Sequence, residues 1–212
     1  MGKLWRGLLW TAAFLILLGL VGRALVVDVW VLPDDPKTSA SVAPSLAGGD
    51  TILFMRRNKP AFGDLVRCSD PDEPTRFVVG RVVGLSGDTV ETSGKELSVN
   101  GTRYLGEMAC AEAKVTIPHP TSGSSVELWC DQVQIAGHPH LRGASDKATG
   151  LTPTKATVGK GMLYVLSDDR SYHDDSRDFG TLPVDSCTGR IVFRLWGKEG
   201  WEDDKRRMTF VQ

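Results

Sequence analysis

The chain has 212 residues, 41% of them hydrophobic and 24% charged, with 25 Lys and Arg against 26 Asp and Glu. That is enough for one ordinary domain with a sizeable core, and balanced charge with plentiful apolar residues excludes a largely disordered chain. The absence of a basic excess argues against a nucleic-acid binder, and 23 glycines with 11 prolines favour turns and short strands over a helical bundle.

The apolar residues are concentrated at the start. Gly7 to Gly22 carries no charge, Lys3 and Arg6 precede it, and Arg23 follows it. Arginines at the ends can extend their head groups to the interface, so Leu4 to Val26 is long enough to span a bilayer. Two readings stand: a cleaved secretory signal, with Lys3 and Arg6 as its basic head, or an uncleaved anchor. Gly22-Arg23-Ala24 is a poor cleavage site, which favours the anchor. Lys3 and Arg6 then keep the N-terminus in the cytoplasm and put the chain beyond about residue 27 outside. The domain plan is an anchor over 1–30 and an extracytoplasmic β domain over 31–212.

A turn-rich linker follows, Pro33 to Thr38. After it the pattern predicts short strands over Thr51–Met55, Leu65–Cys68, Arg76–Gly84, Thr89–Thr92, Glu96–Val99 and Thr102–Leu105, with Asn100-Gly101 as a type I′ hairpin turn. Met162–Ser167 and Gly189–Trp196 are two more. Residues 106–160, rich in Thr, Ser, Gly and Pro and holding three of the four histidines, read as an insertion in the β domain. The expected fold is mostly β: one N-terminal transmembrane helix, then an antiparallel β domain with an inserted subdomain.

Cys68, Cys110, Cys130 and Cys187 lack metal-site spacing. Outside the membrane disulfides are allowed, and Cys110 with Cys130, bracketing a hairpin-like stretch, is the favoured pair; four buried free thiols is the other reading. His138 and His140 have no nearby carboxylate in sequence and read as a surface loop, so no metal is expected. The five aspartates between Asp168 and Asp178 do not make a calcium loop. Counting from Asp168, position six is His173 and position twelve is Phe179, where glycine and glutamate are needed. The bland reading is a polar loop held by Asp–Arg pairs with Arg170 and Arg177.

Five segments, in order, resemble the boxes of type I signal peptidases, the membrane-bound Ser/Lys endopeptidases. Ser41-Val42-Ala43-Pro44-Ser45-Leu46 resembles the nucleophile box, and Gly49-Asp50 and Gly63-Asp64-Leu65-Val66 resemble the Gly-Asp turns. Arg81 to Asp88 resembles the Arg-Val-Ile-Gly-Leu-Pro-Gly-Asp box, and Leu97 to Gly101 the Leu-x-Val-Asn-Gly hairpin. Asp168 to Gly180 resembles the final Asp/Arg/Ser box. The similarity covers residues about 5–105 and 160–197. It implies cleavage of signal peptides from exported preproteins after a small-x-small motif, with the substrate held as an added strand at the surface of the lipid bilayer of the inner (plasma) membrane. Ser41 would be the nucleophile, and the Ser41 amide and Ser39 hydroxyl the oxyanion hole. Asp175 and Arg177 would form a supporting salt bridge, with Asp168, Arg170 and Ser176 in the same box. No cofactor is implied.

The base departs from the pattern. The family's lysine directly precedes the arginine matched by Arg81, and here that position is Gly80. The serine that contacts the lysine in the family falls at His173. An imidazole suits general-base work, so His173, oriented by Asp174 or Asp175, is the candidate base, taking the space left by the shortened Gly80. The other readings are a degenerate site, or a lysine from elsewhere, with Lys147, Lys155 and Lys160 on the insertion side. At the level of function the alternatives are a pseudopeptidase that holds a signal peptide or envelope partner, a peptidase with one dedicated secretion-system substrate, or an anchored β domain that binds an envelope protein.

Overall fold

A computed structural model describes residues 3–56, 59–148 and 151–211. Helix α1 (Lys3–Leu25) opens the chain. Its stretch Trp5–Gly22 has a mean hydropathy of 1.6, no part of it is buried, and by length and composition it suffices to cross a membrane. Apolar side chains surround this helix and meet no core, which a soluble surface helix with one apolar stripe would not tolerate.

The β domain begins without a break. Strand β1 (Val27–Val31) leads to the short helix α2 (Pro36–Ser41) and then to β2 (Thr51–Met55), β3 (Leu65–Ser69) and β4 (Phe77–Gly84). Next come β5 (Thr89–Ser93), β6 (Glu96–Val99) and β7 (Thr102–Tyr104), then β8 (Gly106–Pro118), β9 (Ser125–Ile135), β10 (His138–Ala144) and β11 (Thr154–Thr157). The chain closes with β12 (Met162–Leu166), α3 (Ser176–Phe179), β13 (Leu182–Pro183), β14 (Cys187–Trp196) and β15 (Thr209–Phe210).

The main sheet runs β1-β2-β14-β3-β4-β12-β13, with β15 on β14. A second sheet is β10-β9-β8 and a third is β11-β5-β6-β7. Strand pairing is antiparallel throughout these sheets. The mostly-β expectation with one N-terminal apolar helix holds. Strand β4 sits between β3 and β12 with both faces covered, which is why Val78, Val79, Val82 and Val83 are all buried. Asn100 and Gly101 both take positive φ, as the type I′ turn between β6 and β7 requires.

Within 106–160, β8, β9 and β10 form their own sheet, while β11 returns to pair with β5. Strands β8 and β9 form the hairpin expected between Cys110 and Cys130, whereas β10 and helix α2 are elements that the sequence pattern did not announce. Two disulfides are present: Cys110–Cys130 across β8 and β9, and Cys68–Cys187 across β3 and β14, so the reading of four free thiols does not hold. His138 and His140 belong to strand β10 rather than a loop, and His140 is buried, because β10 folds that side against Gly63 and Ile135.

Candidate active site

Helix α2 is short, and its start is written in the sequence. Asp35 caps it by accepting from the Thr38 amide at 2.9 Å, and Pro36 occupies the first turn, where a missing N–H costs nothing. Ser39, Ala40 and Ser41 are buried on it. The Ser41 hydroxyl donates to the Thr38 carbonyl at 3.1 Å, and the Ser41 carbonyl accepts from the Asp169 amide at 3.3 Å. The Ser39 hydroxyl accepts from the Gly48 amide at 3.2 Å. Residue 48 must be glycine for this approach, since a Cβ there would lie 2.3 Å from Ser39 Oγ.

Opposite α2 lies the segment 167–180, knitted by buried charge. Asp168 receives Arg81 through two parallel bonds, Nε to Oδ1 and Nη2 to Oδ2, both 2.8 Å, and also the Ser45 hydroxyl at 2.5 Å. Arg81 uses its remaining arm on the Gly63 carbonyl at 2.9 Å. Asp175 is wholly buried and accepts from Arg177 Nη2 at 2.6 Å, Arg177 Nε at 2.9 Å and the Ser167 amide at 2.8 Å. Burial alone would raise its pKa, but the Arg177 charge and hydrogen bonds outweigh that and hold it low. Ser176 Oγ accepts from the Val165 amide at 3.0 Å, which ties α3 to β12.

Two groups here are under-satisfied. Asp169 is fully buried; Oδ1 accepts from the Ser171 and Tyr172 amides, but Oδ2 has no hydrogen-bond partner. Burial pushes its pKa up to about 6 against the pull of those two amides and of Arg177. Arg170 is buried with Nε and Nη1 unpartnered, and burial followed by the neighbouring Arg177 charge lowers it to about 9.

His173 is half-buried, and its Nδ1 lies 2.8 Å from Asp178 Oδ2. That same oxygen accepts from the Asp175 amide at 3.0 Å, closing a capping box at the start of α3. The carboxylate in contact with the imidazole is therefore Asp178, not Asp174 or Asp175. Asp175 is taken by Arg177, while Asp174 serves Lys37 Nζ at 3.0 Å and Arg76 Nη1 at 2.5 Å. His173, Asp175 and Asp178 offer ligand atoms within 4.8 Å of one another, yet each carboxylate is already engaged by these partners, so the cluster reads as a hydrogen-bonded unit.

The space expected beside Gly80 is tight at its first carbon. A Cβ on Gly80 would meet Val165 Cβ at 3.1 Å and the Leu166 carbonyl at 3.3 Å, so β12 packs tightly on this position. Ser41 and His173 share no hydrogen bond; the hydroxyl rests on Thr38 and the imidazole on Asp178. Lys155 pairs with Glu91 on the distant third sheet, and Lys147 and Lys160 are exposed. Lys37 is the amine tied to this segment. It stands four residues before Ser41, so the helical repeat puts both on one face, a spacing readable once α2 is recognised as a helix.

The two halves meet at several points: Asp169 N on Ser41 O, Lys37 on Asp174, and Tyr172 against the cluster of Ala40, Ala43, Ile117 and Leu128. The buried Ser41 at the end of α2 is therefore joined through Asp169 to the segment that carries the Asp–Arg network and the His173–Asp178 pair. The sequence matches the family described as signal peptidase, peptidase S26, over residues 8–196. It is 27% identical to signal peptidase I of Streptococcus pneumoniae, over 74% of this chain and 78% of that protein. It is 25% identical to signal peptidase I of Pseudomonas fluorescens, over 88% of this chain and 69% of that protein. A crystal structure of a signal peptidase I from Enterococcus faecalis aligns at 28% identity with a TM-score of 0.38, covering 63% of this chain and 97% of that one. The chain belongs to the signal peptidase S26 family.

Proposed function

We propose that this protein is a membrane-anchored serine endopeptidase that cleaves signal peptides from preproteins after a small-x-small motif. Helix α1 is its single span in the plasma membrane, with the N-terminus cytoplasmic and the β domain outside. Ser41 is the nucleophile, and its amide and the Ser39 hydroxyl receive the oxyanion. His173 is the base, with Asp178 accepting from Nδ1 so that Nε2 is the basic nitrogen. Arg81–Asp168 and Arg177–Asp175, with Arg170 and Ser176, hold the segment that carries it.

In the reaction Ser41 Oγ leaves the Thr38 carbonyl and attacks the scissile carbonyl while Nε2 takes its proton. The imidazolium so formed is stabilised by the Asp178 carboxylate and then protonates the leaving amine. Water completes the turnover by the same exchange. The observation that carries this reading is the His173–Asp178 pair at 2.8 Å, on the segment whose Asp169 amide grips the Ser41 carbonyl. No metal or other cofactor takes part in this scheme, and the partners are a polypeptide and the bilayer, not nucleic acid.

A second reading, a pseudopeptidase that binds a signal peptide without cutting it, is favoured by the tight packing at Gly80 and by the hydroxyl resting on Thr38. Incubating the full-length protein in detergent with a preprotein separates the two. Cleavage at the small-x-small junction by wild type and none by Ser41→Ala is the expected result. Equal cleavage by Ser41→Ala removes the serine mechanism, and binding without cleavage by wild type selects the second reading.

A further inference from the structure

Strand β8 is an edge. It pairs with β9 on one side, and among the described residues no strand pairs with the other. Its register with β9 shifts between Gly106 and Met108 and again between Ala109 and Lys114, where residues 110–113 lie opposite Cys130 alone. Along this strand run two cavities. One, of about 310 Å³, is lined by Ser39, Ala43 and Gly48 of the candidate site together with Val115 to Pro118 and Lys198. The other, of about 520 Å³, is lined by Cys110, Ala111, Glu112, Leu141, Arg194 and Lys205. Both share Pro44, Val115 and Arg206 as walls, so they abut and together track β8 from the Cys110–Cys130 disulfide to Ser39.

We propose that this groove between β8 and the chain beyond β14 is a docking site for an extended stretch of the polypeptide substrate next to its scissile bond. This rests on the endopeptidase reading and adds a binding surface supplied by the inserted sheet. An edge strand presents a row of unpaired backbone donors and acceptors, and an extended chain is the partner that satisfies them. Continuity with the Ser39 cavity selects the substrate itself over an unrelated protein. From Lys114 to Pro118 the strand is regular and extends roughly 13–17 Å, enough for about five residues of an extended chain, while residues 110–113 bulge out of the ladder. On the opposite wall Arg194 and Arg206 are both paired with Asp50, and Lys205 reaches across to Glu112 at 2.9 Å, so these charges are satisfied within the chain and recognition along the groove falls to the backbone of β8.

The test uses full-length Ser41→Ala protein in detergent and a fluorescein-labelled peptide that spans an Ala-x-Ala junction with roughly ten residues after it. Binding is read by anisotropy. Ala111→Trp and Thr116→Trp fill the two cavities from exposed positions on β8, where folding is least affected. Each is expected to weaken binding at least about tenfold. Glu96→Trp, exposed on β6, is the control and is expected to leave affinity unchanged. Unaltered affinity in both groove variants, an equal loss in the control, or no binding to the Ser41→Ala protein overturns the proposal. Cleavage by wild type is scored separately, so failure of the catalytic reading does not masquerade as failure of the groove.

Discussion

The two halves of the site are built in opposite ways. Helix α2 carries Ser41 on six residues, its hydroxyls satisfied by nearby backbone, its packing supplied by the small residues Ala40 and Ala43 under Ile117 and Leu128. Segment 167–180 is held by buried Asp–Arg pairs and side-chain caps, with few apolar contacts. The contrast teaches that Ser41 can be altered at small cost to the fold, whereas the segment behind it cannot.

One of the two largest effects tests that contrast directly. Arg177→Met leaves Asp175 buried without its partner and should cost about 3–5 kcal/mol in urea unfolding. Ser41→Ala should cost under about 1.5 kcal/mol, because one hydroxyl-to-backbone bond is lost. Comparable costs for the two would erase the distinction.

The disulfides give effects of comparable size. Cys68–Cys187 closes a separation of 119 residues and Cys110–Cys130 one of 20. Replacing the first pair with alanine should cost about 4–5 kcal/mol and the second about 3 kcal/mol, from loop entropy. The second loss should fall on the β8–β9 sheet, read as faster amide exchange there than in β3 and β14.

Asp169 gives a smaller effect with a defined pH signature. Its folded pKa, about 6, lies above the ordinary value, so the folded state binds the proton more tightly than the unfolded state. Stability therefore falls as pH rises from about 4 to about 6 and stays lower above that. Asp169→Asn should remove this slope and stabilise the protein at pH 8 by about 2–3 kcal/mol, with little change at pH 4. An unchanged slope contradicts the assignment.

The smallest effect concerns Gly80. Gly80→Lys alone presses on Val165 and should destabilise by about 1–3 kcal/mol with no gain in cleavage. Adding Val165→Ala should recover part of that loss, measured by thermal unfolding. Full stability of the single variant would mean the volume is open.

Much of this was legible in the sequence, and the misses have physical causes. Strand Thr51–Met55 matches in both bounds and β4 nearly so, because β-branched residues there meet turn residues at each end. Asn100-Gly101 is legible because positive φ at two successive positions leaves few residue choices. Helix α2 is too short to show a 3.6-residue repeat, yet Asp35 followed by Pro36 is a cap signal that was present. The bounds of strands β8 and β9 hide behind polar residues because one face of their sheet is exposed, although Val126, Leu128 and Cys130 do alternate. The Cys68–Cys187 bond depends on β14 lying beside β3, a long-range pairing that spacing does not encode. The Asp178 contact was missed because proximity in sequence pointed to Asp174 and Asp175, while the turn into α3 brings residue 178 back onto His173.

The central claim is that an imidazole does the work of the absent amine, and the rate of preprotein cleavage by His173→Ala relative to wild type tests it most directly. The account predicts a fall of about 10²–10⁴-fold, with Asp178→Asn intermediate. Cleavage by His173→Ala at the wild-type rate would contradict it.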